Sequence, residues 1–175
     1  MSKLTGLIAS MVFAGSAAAE NVGDWAYQAQ RSFYAATVND SGNVFGQWCD
    51  VSEGTCMYLV AFPVACREDA NYPVLANADS GVEQVMVACK GALDSRNAEG
   101  RQLYRYAFSD FARIDALVRN SRRIGIAMPM EADQFRVFRF SLSGALPALT
   151  SMRGAAERAA AGGGGGRQNT RDLRL

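Results

Sequence analysis

The positions of four cysteines constrain this chain more than any other feature. Cys49, Cys56, Cys66 and Cys89 all follow an apolar N-terminal leader, and an even count behind such a leader predicts two disulfides in an oxidising compartment. Their spacings of 7, 10 and 23 residues lack the closely paired thiolates of a zinc site. Three connectivities satisfy the count. Segments 44–49 and 56–62 are strand-like, and the polar loop 50–55 between them carries Gly54. That arrangement sets Cys49 opposite Cys56 at the mouth of a hairpin. It predicts the bridges Cys49–Cys56 and Cys66–Cys89.

The leader has the build of a signal peptide over residues 1–19. Lys3 supplies the positive start, residues 4–15 are apolar, and Ala17-Ala18-Ala19 offers a cleavage site before Glu20. The apolar run falls short of the ~20 residues that a bilayer span takes. No second long run follows it, so the mature chain is expected in the periplasm without a transmembrane segment. The expected organisation is one folded domain over 20–152, then a helix end and a disordered Gly/Arg tail over 153–175 that contains the run Gly162 to Gly166.

Several function classes fall away at once. A chain of 175 residues with no histidine has no Ser–His–Asp triad, no Cys–His dyad and no His-ligated metal. It also has no GxSxG, no P-loop, no CxxC and no GxGxxG, so no cofactor is expected. A hydrolase would have to use carboxylates. The close acidic pairs Glu68/Asp69 and Glu131/Asp133 both fall in predicted turns, where solvated acids are the ordinary case.

Charge is unevenly placed. Residues 20–95 hold three basic and ten acidic side chains, whereas residues 96–175 hold fourteen arginines and seven acids. The mature chain is formally neutral, which argues against nucleic acid as a partner. The halves are expected to fold onto one another, so that the dipole partly cancels. The second half still offers Arg119, Arg122, Arg123, Arg136 and Arg139 as candidate contacts to an anionic surface or polymer.

Residues 25–27 and 32–38 look extended, Asn39 to Asn43 is a turn, and the strand ending at Cys49 completes an antiparallel meander. Segments 74–78 and 82–89 flank Asp79-Ser80-Gly81 as a hairpin, and 90–100 reads as loop. Tyr104, Tyr106 and Phe108 alternate on one strand face. At Ser109, placed as an N-cap, the period changes to a helical stripe of Phe111, Ile114, Leu117 and Val118. Asp115 and Arg119 stand i,i+4, and Arg122-Arg123 are placed at the helix C-terminus. Strands over 124–128 and 135–142 and a helix from Ala145 to about Ala161 follow. The early aromatics Trp25, Tyr27, Phe33, Tyr34, Phe45 and Trp48 are expected in the core. The fold class is mainly β, an antiparallel sandwich with one or two peripheral helices.

Two short segments have a familiar form: Gly23-Asp24-Trp25 and Phe140-Ser141-Leu142-Ser143-Gly144. With them, over about residues 23–152, the chain resembles the invasion-associated locus B family of exported bacterial proteins. It departs from the family pattern in having no cysteine soon after the early Trp, as a distant branch would. The resemblance implies an immunoglobulin-like β-sandwich in the periplasm or on the outer envelope and brings no catalytic residues with it. The expected function is a non-enzymatic envelope protein that binds an envelope or host-surface partner. The alternatives are a small periplasmic hydrolase or inhibitor, and a structural accessory domain.

Overall fold

The computed structural model describes residues 19–30, 32–130 and 134–163. The expected leader up to residue 18, the tail beyond residue 163, and Glu131 and Asp133 lie outside the described residues. The described residues open with β1 (Glu20–Val22), β2 (Trp25–Ala29), β3 (Phe33–Val38), β4 (Val44–Asp50) and β5 (Thr55–Phe62), an antiparallel meander. A second meander, β6 (Asn71–Ala78), β7 (Gly81–Arg96) and β8 (Gln102–Phe108), returns to lay β8 against β5. Helix α1 (Phe111–Arg119) leads to the hairpin β9 (Arg123–Pro129) and β10 (Phe135–Ser141), which joins the far side of β6. Helix α2 (Ala145–Gly163) closes the described chain and packs along β2 and β3.

The ten strands of the described residues form one antiparallel sheet in the order β1-β2-β3-β4-β5-β8-β7-β6-β9-β10. Strand side chains alternate between faces, and one face is consistently apolar: Phe33 and Ala35, Phe45, Tyr58, Val60 and Phe62, Val85 and Val87, Ile124 and Ile126 are all buried. The sheet folds over so that this face meets itself. Phe138 of β10 stacks on Phe62 of β5 at 4.3 Å, and Phe140 lies 5.6 Å from Phe45. The result is sandwich-like, with both layers drawn from a single ladder. Phe45 sits at the centre, also touching Trp25, Tyr58 and Phe108.

The two familiar segments, more than a hundred residues apart in sequence, lie against each other. Trp25 Nε1 donates to the Ser141 carbonyl at 2.9 Å, Asp24 N to the Ser143 carbonyl at 3.0 Å, and Ser141 Oγ to Asp24 Oδ2 at 2.6 Å. Gly144 has φ +88°, and a Cβ there would lie 1.8 Å from the Val22 carbonyl oxygen, so only glycine lets the chain pass. These contacts clasp the start of the domain to the entry of α2.

The structure corrects several local expectations. Residues 90–100 are not all loop: β7 runs to Arg96, carried by two register shifts, and only the turn at Asn97 to Gly100 is irregular. The N-cap of α1 is Asp110, whose carboxylate accepts from Arg113 N at 3.0 Å. Ser109 stays with the sheet, because its N–H and its hydroxyl both donate to the Met86 carbonyl. Arg122 and Arg123 do not close that helix. It ends at Arg119 with Asn120 as C-cap, and Arg123 begins β9. Pro73 is tolerated inside β6 because β9 pairs only with Leu75–Ala78, leaving its position partnered by β7 alone. The packed unit also runs past residue 152, since Ala156 is buried and Arg153 is tied into the core.

Candidate functional site

If one sheet face makes the core, the other should be polar. On β3, β4 and β5 it is not. Register pairing lines up the outward residues in rows: Tyr34, Trp48 and Met57 form the first, and Ala36, Gly46 and Leu59 the second. Val38, Val44 and Ala61 form the third, which continues to Arg105 on β8. The small middle row lies between larger neighbours, and the surface is recessed into a groove of about 480 Å³. Tyr34 and Trp48 therefore line this groove instead of the core expected for them, whereas Trp25, Phe33 and Phe45 are core residues. Alternation explains the division, because Phe33 and Tyr34 are neighbours in one strand and must face opposite ways.

Two features shape the groove. A Cβ on Gly46 would lie 2.4 Å from the Ala35 carbonyl oxygen and 2.6 Å from the Ala36 Cβ, so glycine is required for β3 and β4 to approach this closely. On the opposite side the bulge after Cys89, with Gly91 at φ +81°, brings Lys90 and Leu93 of β7 to the rim. Arg105 lies across from that bulge, between Tyr104 and Tyr106, which pair with Ala92 and Cys89. Lys90 reaches Asp69 at 3.5 Å, while Arg105 has no ion-pair partner among the described residues.

On the inner side of the same strands lies a polar network that the sequence did not announce. Arg153 of α2 donates from Nε to Gln47 Oε1 at 2.7 Å, and from Nη2 to Asp115 Oδ1 at 2.5 Å and the Tyr58 hydroxyl at 3.1 Å. Tyr58 donates to Asp115 Oδ1 at 2.8 Å, and Arg119 Nε reaches Asp115 Oδ2 at 2.5 Å. Burial alone would raise the Asp115 pKa, but the hydrogen bonds from Arg119, Arg153 and Tyr58 outweigh it and hold the carboxyl below its ordinary range. Burial, then the bond to Asp115, pushes the Tyr58 hydroxyl far up. The network joins α1 and α2 to β4 and β5, and within it Gln47 Nε2 is buried without a hydrogen-bond partner.

The cysteines pair Cys49–Cys56 and Cys66–Cys89, and Cys49 stands directly opposite Cys56 in the ladder. Of the five arginines singled out, Arg119, Arg122, Arg123 and Arg139 border depressions that share Asp79. Asp79 accepts from Arg122 N at 2.8 Å, the main reason its carboxyl is held below the usual range, and lies 3.9 Å from Arg123. Arg136 stands apart, opposite Met128 near the far end of the hairpin, with its guanidinium 6.0 Å from the Phe138 ring centroid. Glu68 and Asp69 are exposed on a turn. Among the described residues no group of three or more His, Cys, Asp or Glu is placed to hold a metal, and no helix is long and apolar enough to cross a membrane.

No protein-family model matches the sequence, and neither does any curated protein. Among solved structures, the chain is similar to invasion associated protein B from Bartonella henselae, with a TM-score of 0.55 at 15% identity, over 80% of this chain and 99% of that one. The two share a fold.

Proposed function

We propose that this protein works outside the cytoplasm as a non-enzymatic binding protein of the invasion-associated locus B kind, with a partner in the envelope or on a host surface. The observation that carries the proposal is the pair of closed disulfides in a fold shared with invasion associated protein B. Such bridges persist in oxidising compartments, and residues 1–19 supply a route there as a cleaved leader. The Gly23-Asp24-Trp25 and Phe140 to Gly144 segments support the kinship, because they form one structural joint. The outer-face groove supports a binding role, since a solvated sheet face has no need of three apolar rows.

Export is tested by expressing the full chain in a Gram-negative host and releasing the periplasm by osmotic shock. The expected product begins at Glu20 and yields Cys49–Cys56 and Cys66–Cys89 peptides on non-reducing digestion. Cytosolic protein with the leader attached and free thiols overturns the proposal. Crosslinking in intact envelopes tests the binding role, and recovery as a free monomer alone counts against it.

A further inference from the structure

The groove combines a recessed apolar floor with two cations at one end. Lys90 stands in the β7 bulge, Arg105 lies on β8 across from that bulge, and both line the groove, so two like charges share this end of it. Asp69 offsets Lys90 in part, at 3.5 Å and largely in solvent. Arg105 continues the Val38–Val44–Ala61 row, so its charge lies in line with an apolar track instead of on a separate face. Pockets for small molecules have this composition: mostly apolar walls with a few polar groups that fix orientation.

We infer that the groove binds a single aliphatic chain with an anionic head group, a long-chain fatty acid in its simplest form. The aliphatic chain lies over Ala36, Gly46 and Leu59, and the carboxylate sits between Lys90 and Arg105. The inference names a ligand for the binding role proposed above and rests on that reading only for where the protein meets it. A carboxylate removes the repulsion between the two cations and gains charge-assisted hydrogen bonds from both. A second copy of the chain suits the groove less well. A two-fold contact places the same patch on both sides, so it would bring two Lys90/Arg105 pairs into one interface. A flat membrane surface is also a poor match for a recessed floor.

The two tryptophans supply the test. Trp48 lines the groove, whereas Trp25 is 1% exposed on the other face of the sheet. The purified, oxidised mature protein is titrated with a bromine-terminated undecanoic acid, below its micelle concentration, while tryptophan fluorescence is followed. Because the assay needs only purified protein, its failure is separable from a failure of export. The expected result is saturable quenching at one ligand per chain, lost in Trp48→Phe. Affinity is expected to fall about tenfold in Lys90→Gln/Arg105→Gln and about tenfold for the matching bromo-alcohol. Both cations are on the surface, so a near-UV spectrum unchanged from wild type confirms that the double variant is folded.

Absence of saturable quenching overturns the inference, as does quenching that persists in Trp48→Phe. Equal binding of acid and alcohol overturns the role given to Lys90 and Arg105. A concentration-dependent dimer that the fatty acid does not dissociate overturns the choice of occupant in favour of a second copy.

Discussion

The indole N–H of Trp25 reaches across the domain to the carbonyl of Ser141 at 2.9 Å, joining the second strand to the end of the tenth. Trp25 is otherwise packed edge-on against Phe45, with 6.2 Å between ring centroids. Trp25→Phe keeps an aromatic ring and removes the donor and some volume, which is expected to cost about 2 kcal/mol. Ser141→Ala leaves the carbonyl in place and removes the two exposed bonds of the hydroxyl, donated to Asp24 and accepted from Ser143 N, for about 0.5–1 kcal/mol. Urea unfolding of the two variants checks the order.

Gly144 and Gly54 separate backbone conformation from space. Both have positive φ, +88° and +65°, but a Cβ on Gly144 meets the Val22 carbonyl whereas one on Gly54 meets nothing within 4 Å. Gly54→Ala is expected to cost about 1 kcal/mol from conformation alone. Gly144→Ala must also displace backbone and is expected to cost more than about 3 kcal/mol. Equal losses for the two would show that the clasp is softer than its geometry.

Asp115 makes stability depend on pH. Its folded pKa lies below the ordinary 3.8, so its contribution is fully present above that value and is lost as pH falls through the depressed folded value. Asp115→Asn is expected to cost about 2–3 kcal/mol near pH 7, because Arg153 loses its charged partner in a half-buried setting. The gap between variant and wild type should shrink steadily below pH 3.8. Chemical denaturation at pH 7 and pH 3 measures it. A gap that widens in acid contradicts the assignment.

The two disulfides close loops of different length, with separations of 7 and 23 residues. On chain entropy alone they contribute about 2.5 and about 3.5 kcal/mol. Replacing Cys66 and Cys89 together should therefore be the more damaging by about 1 kcal/mol. Thermal melts of the two double-alanine variants, with the remaining bridge verified intact, give the comparison.

What the sequence made legible was local. The Cys49/Cys56 hairpin followed from two strand-like runs and a short polar loop, and the ladder places those cysteines opposite each other. The stripe of α1 was plain in Ile114, Leu117 and Val118, all buried. The far half of β7 was hidden because Gly91 and Asp94 look like loop residues, and a bulge breaks the alternation on which strand recognition depends. The groove was hidden for another reason. Tyr34 and Trp48 look like core residues when aromatics are pooled, and only strict counting by twos places them outside. Arg153, Tyr58, Gln47 and Asp115 carry no common motif; three of their contacts span 38 to 106 residues, and folding alone brings them together.

The clasp between Asp24 and Ser143 has a consequence in time. Its halves stand at opposite ends of the domain, so the joint cannot close until the chain through Ser143 has been delivered. Until then the curled ladder has two open rims and an uncovered apolar interior, and a topology so dominated by distant pairings closes slowly. Until α2 has been delivered, the domain therefore remains unfinished. In this architecture the segment delivered last to the domain is the one that lets its folding finish.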